Sequence, residues 1–192
     1  MRIAGGVRAI LTYADRLVAR GHEVTLVVPA KSPPRAAWRN LTHAGPAWMP
    51  GFRPRLRWVA RWRAGALPEG DAVVATAWES AAAVAGAPAR CGAKFYFVQH
   101  YESLYHGAPA TVDATYRLPL AKVVISTWLR DIMRERFAGD AEVLVTPVDP
   151  ALFHRVPPAG PPGAGGAPRV LMLHHDYAWK GVADGLAAVA QV

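Results

Sequence analysis

KFYFVQH (Lys94–His100), KVVIS (Lys122–Ser126) and EVLVTP (Glu142–Pro147) are short apolar runs, each ending in polar residues or proline. They are β-rich and apolar throughout rather than alternating, as strands buried on both faces of a parallel sheet are. Between the last two, Leu129, Ile132, Met133 and Phe137 recur at helical spacing, and Ser126 or Thr127 can cap that helix. Upstream, AVVAT (Ala72–Thr76) reads as another strand, and Trp78 to Ala85 as a small-residue helix ending near Gly86. Strand and helix alternate. The expected fold class is α/β, a Rossmann-like doubly wound parallel sheet.

Moving toward the N-terminus, Val7, Ile10, Leu11, Ala14, Leu17 and Val18 predict a helix that Gly21 stops. HEVTLVVP then predicts a strand closed by Pro29. Toward the C-terminus, HRVPPAGPPGAGGAP (residues 154–168) is too rich in Pro and Gly to pack and reads as a linker. RVLMLHH after it predicts a strand, and Val182, Leu186 and Val189 mark one side of a helix. The expected organisation is a Rossmann-like domain over residues 1–153, a linker over 154–168, and the opening strand and helix of a second α/β domain over 169–192.

Hydrophobic residues form 52% and charged residues 19% of the 192, which excludes global disorder. One cysteine, Cys91, rules out an internal disulfide and fits a reducing, cytoplasmic setting. Neither a secretory leader nor an apolar run of membrane-spanning length is evident in the sequence. The net charge is +8, and its distribution is uneven. From Val24 to Pro68 there is no carboxylate, while Arg53, Arg55, Arg57 and other basic residues interleave with Trp58 and further aromatics. Such a stretch suits an acceptor or an anionic membrane surface, here the inner face of the plasma membrane; the plain alternative is a solvated insert.

In an open parallel sheet, ligands bind beyond the carboxyl ends of the strands. The candidates there are His100, Tyr101 and Glu102, then Ser126 and Thr127, then His174, His175 and Asp176. Gly5-Gly6 precede the first helix, where backbone N–H groups can meet a phosphate or sugar. Lys180-Gly181 precede the last helix, a placement that suits an anion between the lysine and the helix end. The histidines show no zinc spacing, so no metal and no cofactor are expected.

The order GG…LVARGHEVTLVVP, FVQH, VVISTWLRD, VTPVDPALF and LHHDYAWKGVADGLAAV resembles glycosyltransferase family 4, whose fold is the two-domain GT-B arrangement. FVQHYESLY further resembles a stretch of rhamnosyltransferases of bacterial polysaccharide assembly. The resemblance implies a nucleotide-sugar donor and a glycan or lipid-linked acceptor. It places Gly5 and Gly6 against donor phosphate or acceptor, His100 near the reacting sugar, and Lys180 at the donor diphosphate. Nucleic acid is not implied. The family pattern also has a strand before the Gly-Gly turn, Asn-Gly before the Val-Asp of Val148-Asp149, and a pair of donor-binding glutamates further on. None of these is present here, so the sequence is expected to be a fragment that is inactive alone. Two rivals stand beside this expectation: a non-catalytic Trp-rich module on an anionic surface, and a nicotinamide-dependent oxidoreductase, which lacks its G-x-G-x-x-G turn.

Overall fold

A computed structural model describes residues 4–43, 45–150, 153–155 and 170–191. The proposed linker lies almost wholly outside the described residues. The chain divides into two compact units, Met1–Pro147 and Val148–Val192.

The first unit opens with α1 (Gly5–Ala19), which buries Leu11 and Ala14 and ends where Gly21 takes a φ of 92°. β1 (Thr25–Pro29) follows, then α2 (Pro33–Leu41), in which proline occupies the first helical turn without losing a hydrogen bond. β2 (Arg55–Val59) pairs with β1 in parallel, Val28 opposite Trp58. Along β2, Arg55 and Arg57 are exposed while Trp58 is buried. The Asn40 side chain donates to the Trp58 carbonyl (2.9 Å) and accepts from the Trp58 N–H (2.8 Å). It thus supplies the two bonds that a neighbouring strand would give, and it blunts that edge of the sheet.

A second, four-stranded parallel sheet runs in the order β3 (Ala72–Ala75), β4 (Ala93–Val98), β5 (Ala121–Val124), β6 (Ala141–Val143). Successive strands are joined through α3 (Trp78–Ala85), α4 (Pro109–Tyr116) and α5 (Thr127–Phe137), so every crossover is a βαβ unit. Tyr96, Val98, Val112, Tyr116, Val124, Leu129 and Met133 fill the core beneath it, and Val27 of β1 packs against the same cluster. On the other side of the two-stranded sheet, Ala30, Ala36 and Trp58 form a second, smaller cluster with Val28. The α/β Rossmann-like class read from the sequence holds.

Three elements depart from expectation. β2 and α2 occupy the basic interval that reads as irregular, and α4 lies in a stretch with little periodicity. In the second unit the described residues 170–175 form no strand. Leu171 and Leu173 are exposed, and among the described residues of that unit no second strand offers a ladder to pair with. The helix expected there does form, as α6 (Val182–Val189), and Met172 sits against its Gly185.

Candidate functional site at the carboxyl end of the sheet

α1 packs across β4, with the Tyr13 and Phe97 rings edge to face at 5.9 Å. This brings the first turn of α1 to the carboxyl end of β4. A Cβ on Gly6 would stand 3.4 Å from the Gln99 side-chain amide nitrogen, ordinary van der Waals contact, so the two residues are neighbours. Gly5 has open space around it. The glycine pair and the Gln99–His100 segment thus lie together, and the α1 amides without helical partners open beside a half-buried imidazole.

His100 lies edge-on to Tyr105, with ring centres 4.8 Å apart, and His106 is 6.4 Å away. The segment that carries it is fixed by a buried polar network. The Glu102 carboxylate accepts from the Trp78 N–H (3.0 Å) and the Tyr96 hydroxyl (3.2 Å). The Glu102 N–H donates to the Tyr116 hydroxyl (2.9 Å), which in turn donates to the His100 carbonyl (3.5 Å). Tyr101 and Ser103 both donate to Asp113 on α4. Burial raises the Glu102 carboxyl above its ordinary range, against the pull of its two donors. Burial likewise raises both Tyr96 and Tyr116, so they remain neutral donors. Glu102 is therefore an anchor: it caps the start of α3 and ties the His100 turn to it.

Ser126 stands two residues past Val124, as His100 stands two past Val98, and those valines pair across β4 and β5. Its hydroxyl accepts from the Leu129 N–H at 3.2 Å and caps α5. In α3 a related device appears, where the Ser80 hydroxyl accepts from the N–H groups of Thr76 and Ala77.

The basic interval reads differently in three dimensions. Arg53 grips α1, bonding both carboxylate oxygens and the carbonyl of Asp15 at 2.7–3.1 Å. This bond holds the Asp15 carboxyl below its usual range. Arg55 lies 3.7 Å from Glu23, both exposed. Trp58 is only 4% exposed and lies under Arg39, 4.2 Å above its ring. Of the four residues expected to form one acceptor or membrane surface, Trp58 is buried instead, because strand alternation turns the indole inward, and the exposed Arg53 is engaged by Asp15. Arg55 and Arg57 remain exposed on the edge strand.

In the second unit, Lys180 closes a 3₁₀ turn (Ala178–Lys180), and Gly181, at φ 70°, starts α6. Among the described residues no three His, Cys, Asp or Glu side chains gather as metal ligands, and no helix is long and apolar enough to cross a membrane. The sequence alone did not single out Gln99, Asp113 or the Tyr96–Tyr116 pair. Gln99 was findable from its place at a strand's carboxyl end, whereas the tyrosine network depends on α4, which left no periodic trace.

Residues 3–152 match the model of a family described as Glycosyltransferase Family 4. The chain is also similar to the O-antigen biosynthesis protein RfbC of Myxococcus xanthus, at 30% identity over 194 residues, covering 99% of this chain and 15% of that protein. No solved structure matches it significantly.

Proposed function

The chain belongs to glycosyltransferase family 4, and from that premise we propose that its first unit forms the acceptor side of a sugar-transfer site. The donor in this reading is a nucleotide-activated hexose or rhamnose, and the acceptor a glycan or lipid-linked glycan of cell-surface polysaccharide assembly. Similarity to an O-antigen biosynthesis protein supports that setting, and the chain spans about 15% of that relative's length. The lone thiol Cys91, fully buried, suits a cytoplasmic protein.

In the transfer, the bond from the sugar's anomeric carbon to the diphosphate oxygen breaks, the acceptor oxygen forms the new bond, and its proton passes to the leaving diphosphate. His100 is proposed to face the reacting sugar and to hydrogen-bond the hydroxyl whose charge changes. Gly5 and Gly6 are proposed to present α1 amides to a phosphate or sugar oxygen. Lys180 is proposed to meet the diphosphate, where negative charge develops. No metal or cofactor is invoked for these roles.

One observation carries the reading: the Gly5-Gly6 turn and the His100 segment, far apart in sequence, meet through the Gly6–Gln99 approach at the carboxyl end of a parallel sheet. The test is nucleotide release from a panel of nucleotide sugars by a polypeptide containing this chain. His100→Ala should lower kcat by about a hundredfold or more, the usual contribution of a proton-handling group. A folded His100→Ala protein with unchanged kcat would remove His100 from the reaction.

A further inference from the structure

Away from that site, α2 and β2 enclose an open groove of about 700 Å³ lined by Pro34, Arg35, Trp38, Arg39, Thr42 and Trp58. Its floor is built. The Trp58 backbone exchanges two hydrogen bonds with the Asn40 side chain, and the Arg39 guanidinium carbon lies 4.2 Å from the centre of the Trp58 ring. Its rim is the outer face of α2, where Arg35, Trp38 and Leu41 recur every three residues. Ala36, on the other side, is buried. Trp38 is 66% and Leu41 75% exposed. Among the described residues no carboxylate pairs with Arg35 or Arg39. The flanking chain contains no acid from Val24 to Pro68.

A soluble phosphate would use the arginines but would leave the outward Trp38 and Leu41 unexplained. A second copy of the chain would set the same arginines against each other across a two-fold contact. A bilayer with anionic headgroups satisfies both halves: phosphates for the guanidinium groups, and an interfacial layer for the indole and leucine. We propose that α2 docks this protein on an anionic phospholipid bilayer, with Trp38 and Leu41 entering the interface and Arg35 and Arg39 engaging phosphates. The proposal deepens the lipid-linked-acceptor reading by assigning the membrane contact to α2. Docking requires no sugar transfer, so either can fail alone.

The test is sedimentation of the purified chain with vesicles of phosphatidylcholine alone and with vesicles containing about 30% phosphatidylglycerol, whose negative surface attracts basic side chains. Binding is expected only with the anionic vesicles and should fall steeply as salt rises. Replacing both Arg35 and Arg39 by Gln should weaken partitioning about 25-fold, roughly fivefold for each basic residue near the surface. Trp38→Ala should weaken it about tenfold while leaving the urea midpoint unchanged, since the side chain is mostly in water. The matched control is Arg55→Gln with Arg57→Gln, which removes the same charge from the edge strand. If that control loses as much binding as the α2 pair, only net charge is at work and the assignment to α2 is overturned. Equal binding to neutral vesicles overturns it too. So does displacement by millimolar glycerol phosphate, which would make the groove a small-phosphate site, or a concentration-dependent dimer abolished by Trp38→Ala.

Discussion

Replacing Glu102 by Ala removes the acceptor of two buried donors at once. The Tyr96 hydroxyl belongs to a side chain with no exposed surface, and the Trp78 N–H opens α3. A buried donor left without a partner costs about 1–3 kcal/mol. The Trp78 site is only partly buried and can recruit water, so the expected loss is about 2–4 kcal/mol rather than twice the maximum. Glu102→Gln keeps a carbonyl oxygen for both donors and removes the charge that burial disfavours; it should lie within about 1 kcal/mol of wild type. The pH dependence has a definite sign. Because the folded carboxyl is raised above 4.5, the native state holds its proton to higher pH than the unfolded state does. Its contribution to stability is complete below 4.5 and is lost as pH rises through the folded value. The Gln variant should lack that decline. Urea unfolding of wild type, Glu102→Ala and Glu102→Gln across this range, with constant slope, measures all three quantities. An Ala variant within about 0.5 kcal/mol of wild type, the range of ordinary surface substitutions, would refute the anchor role.

Two further outcomes follow from backbone geometry. Gly92→Ala should destabilise severely or prevent folding. Its φ is 71° and the new methyl would lie 2.0 Å from the Asp71 carbonyl oxygen, a backbone atom in the turn that starts β3; a soluble variant with a wild-type melting midpoint would contradict this. Ala138 sits in the left-handed region at φ 49°, ending α5, so Ala138→Gly should raise stability by about 0.5–1 kcal/mol, read as a higher urea midpoint.

The elements that were legible are those whose own residues report a covered face. α5 announces itself by Leu129, Met133 and Phe137, all buried, and by the Ser126 cap. β4 does so by the apolar run Phe95–Val98, and α3 by its small residues ending at Gly86. β2 was hidden because RLRWV is an edge strand: its arginines face water and its other edge is closed by a side chain, so it resembles a basic loop. α2 starts at Pro33-Pro34, which suggests a turn although proline fits the first helical turn well. The site was half visible. Position along strands pointed to His100, Glu102 and Ser126, but only the fold shows that the Glu102 carboxylate and the Ser126 hydroxyl hold the starts of helices. The approach of Gly6 to Gln99 depends on how α1 crosses β4, which no local pattern encodes.

In the proposed function, the first turn of α1 and the end of β4 form one sugar-binding site. Backbone amide NMR of the 192-residue chain, titrated with a nucleotide sugar and separately with a phosphorylated glycan acceptor, tests it most directly. Saturable shifts are expected to cluster at Gly5, Gly6, Gln99 and His100 and to be lost in Gly6→Val, whose branched side chain would press on Gln99. Shifts absent with both ligands at millimolar concentration, or clustered elsewhere on the sheet and untouched by Gly6→Val, would contradict it.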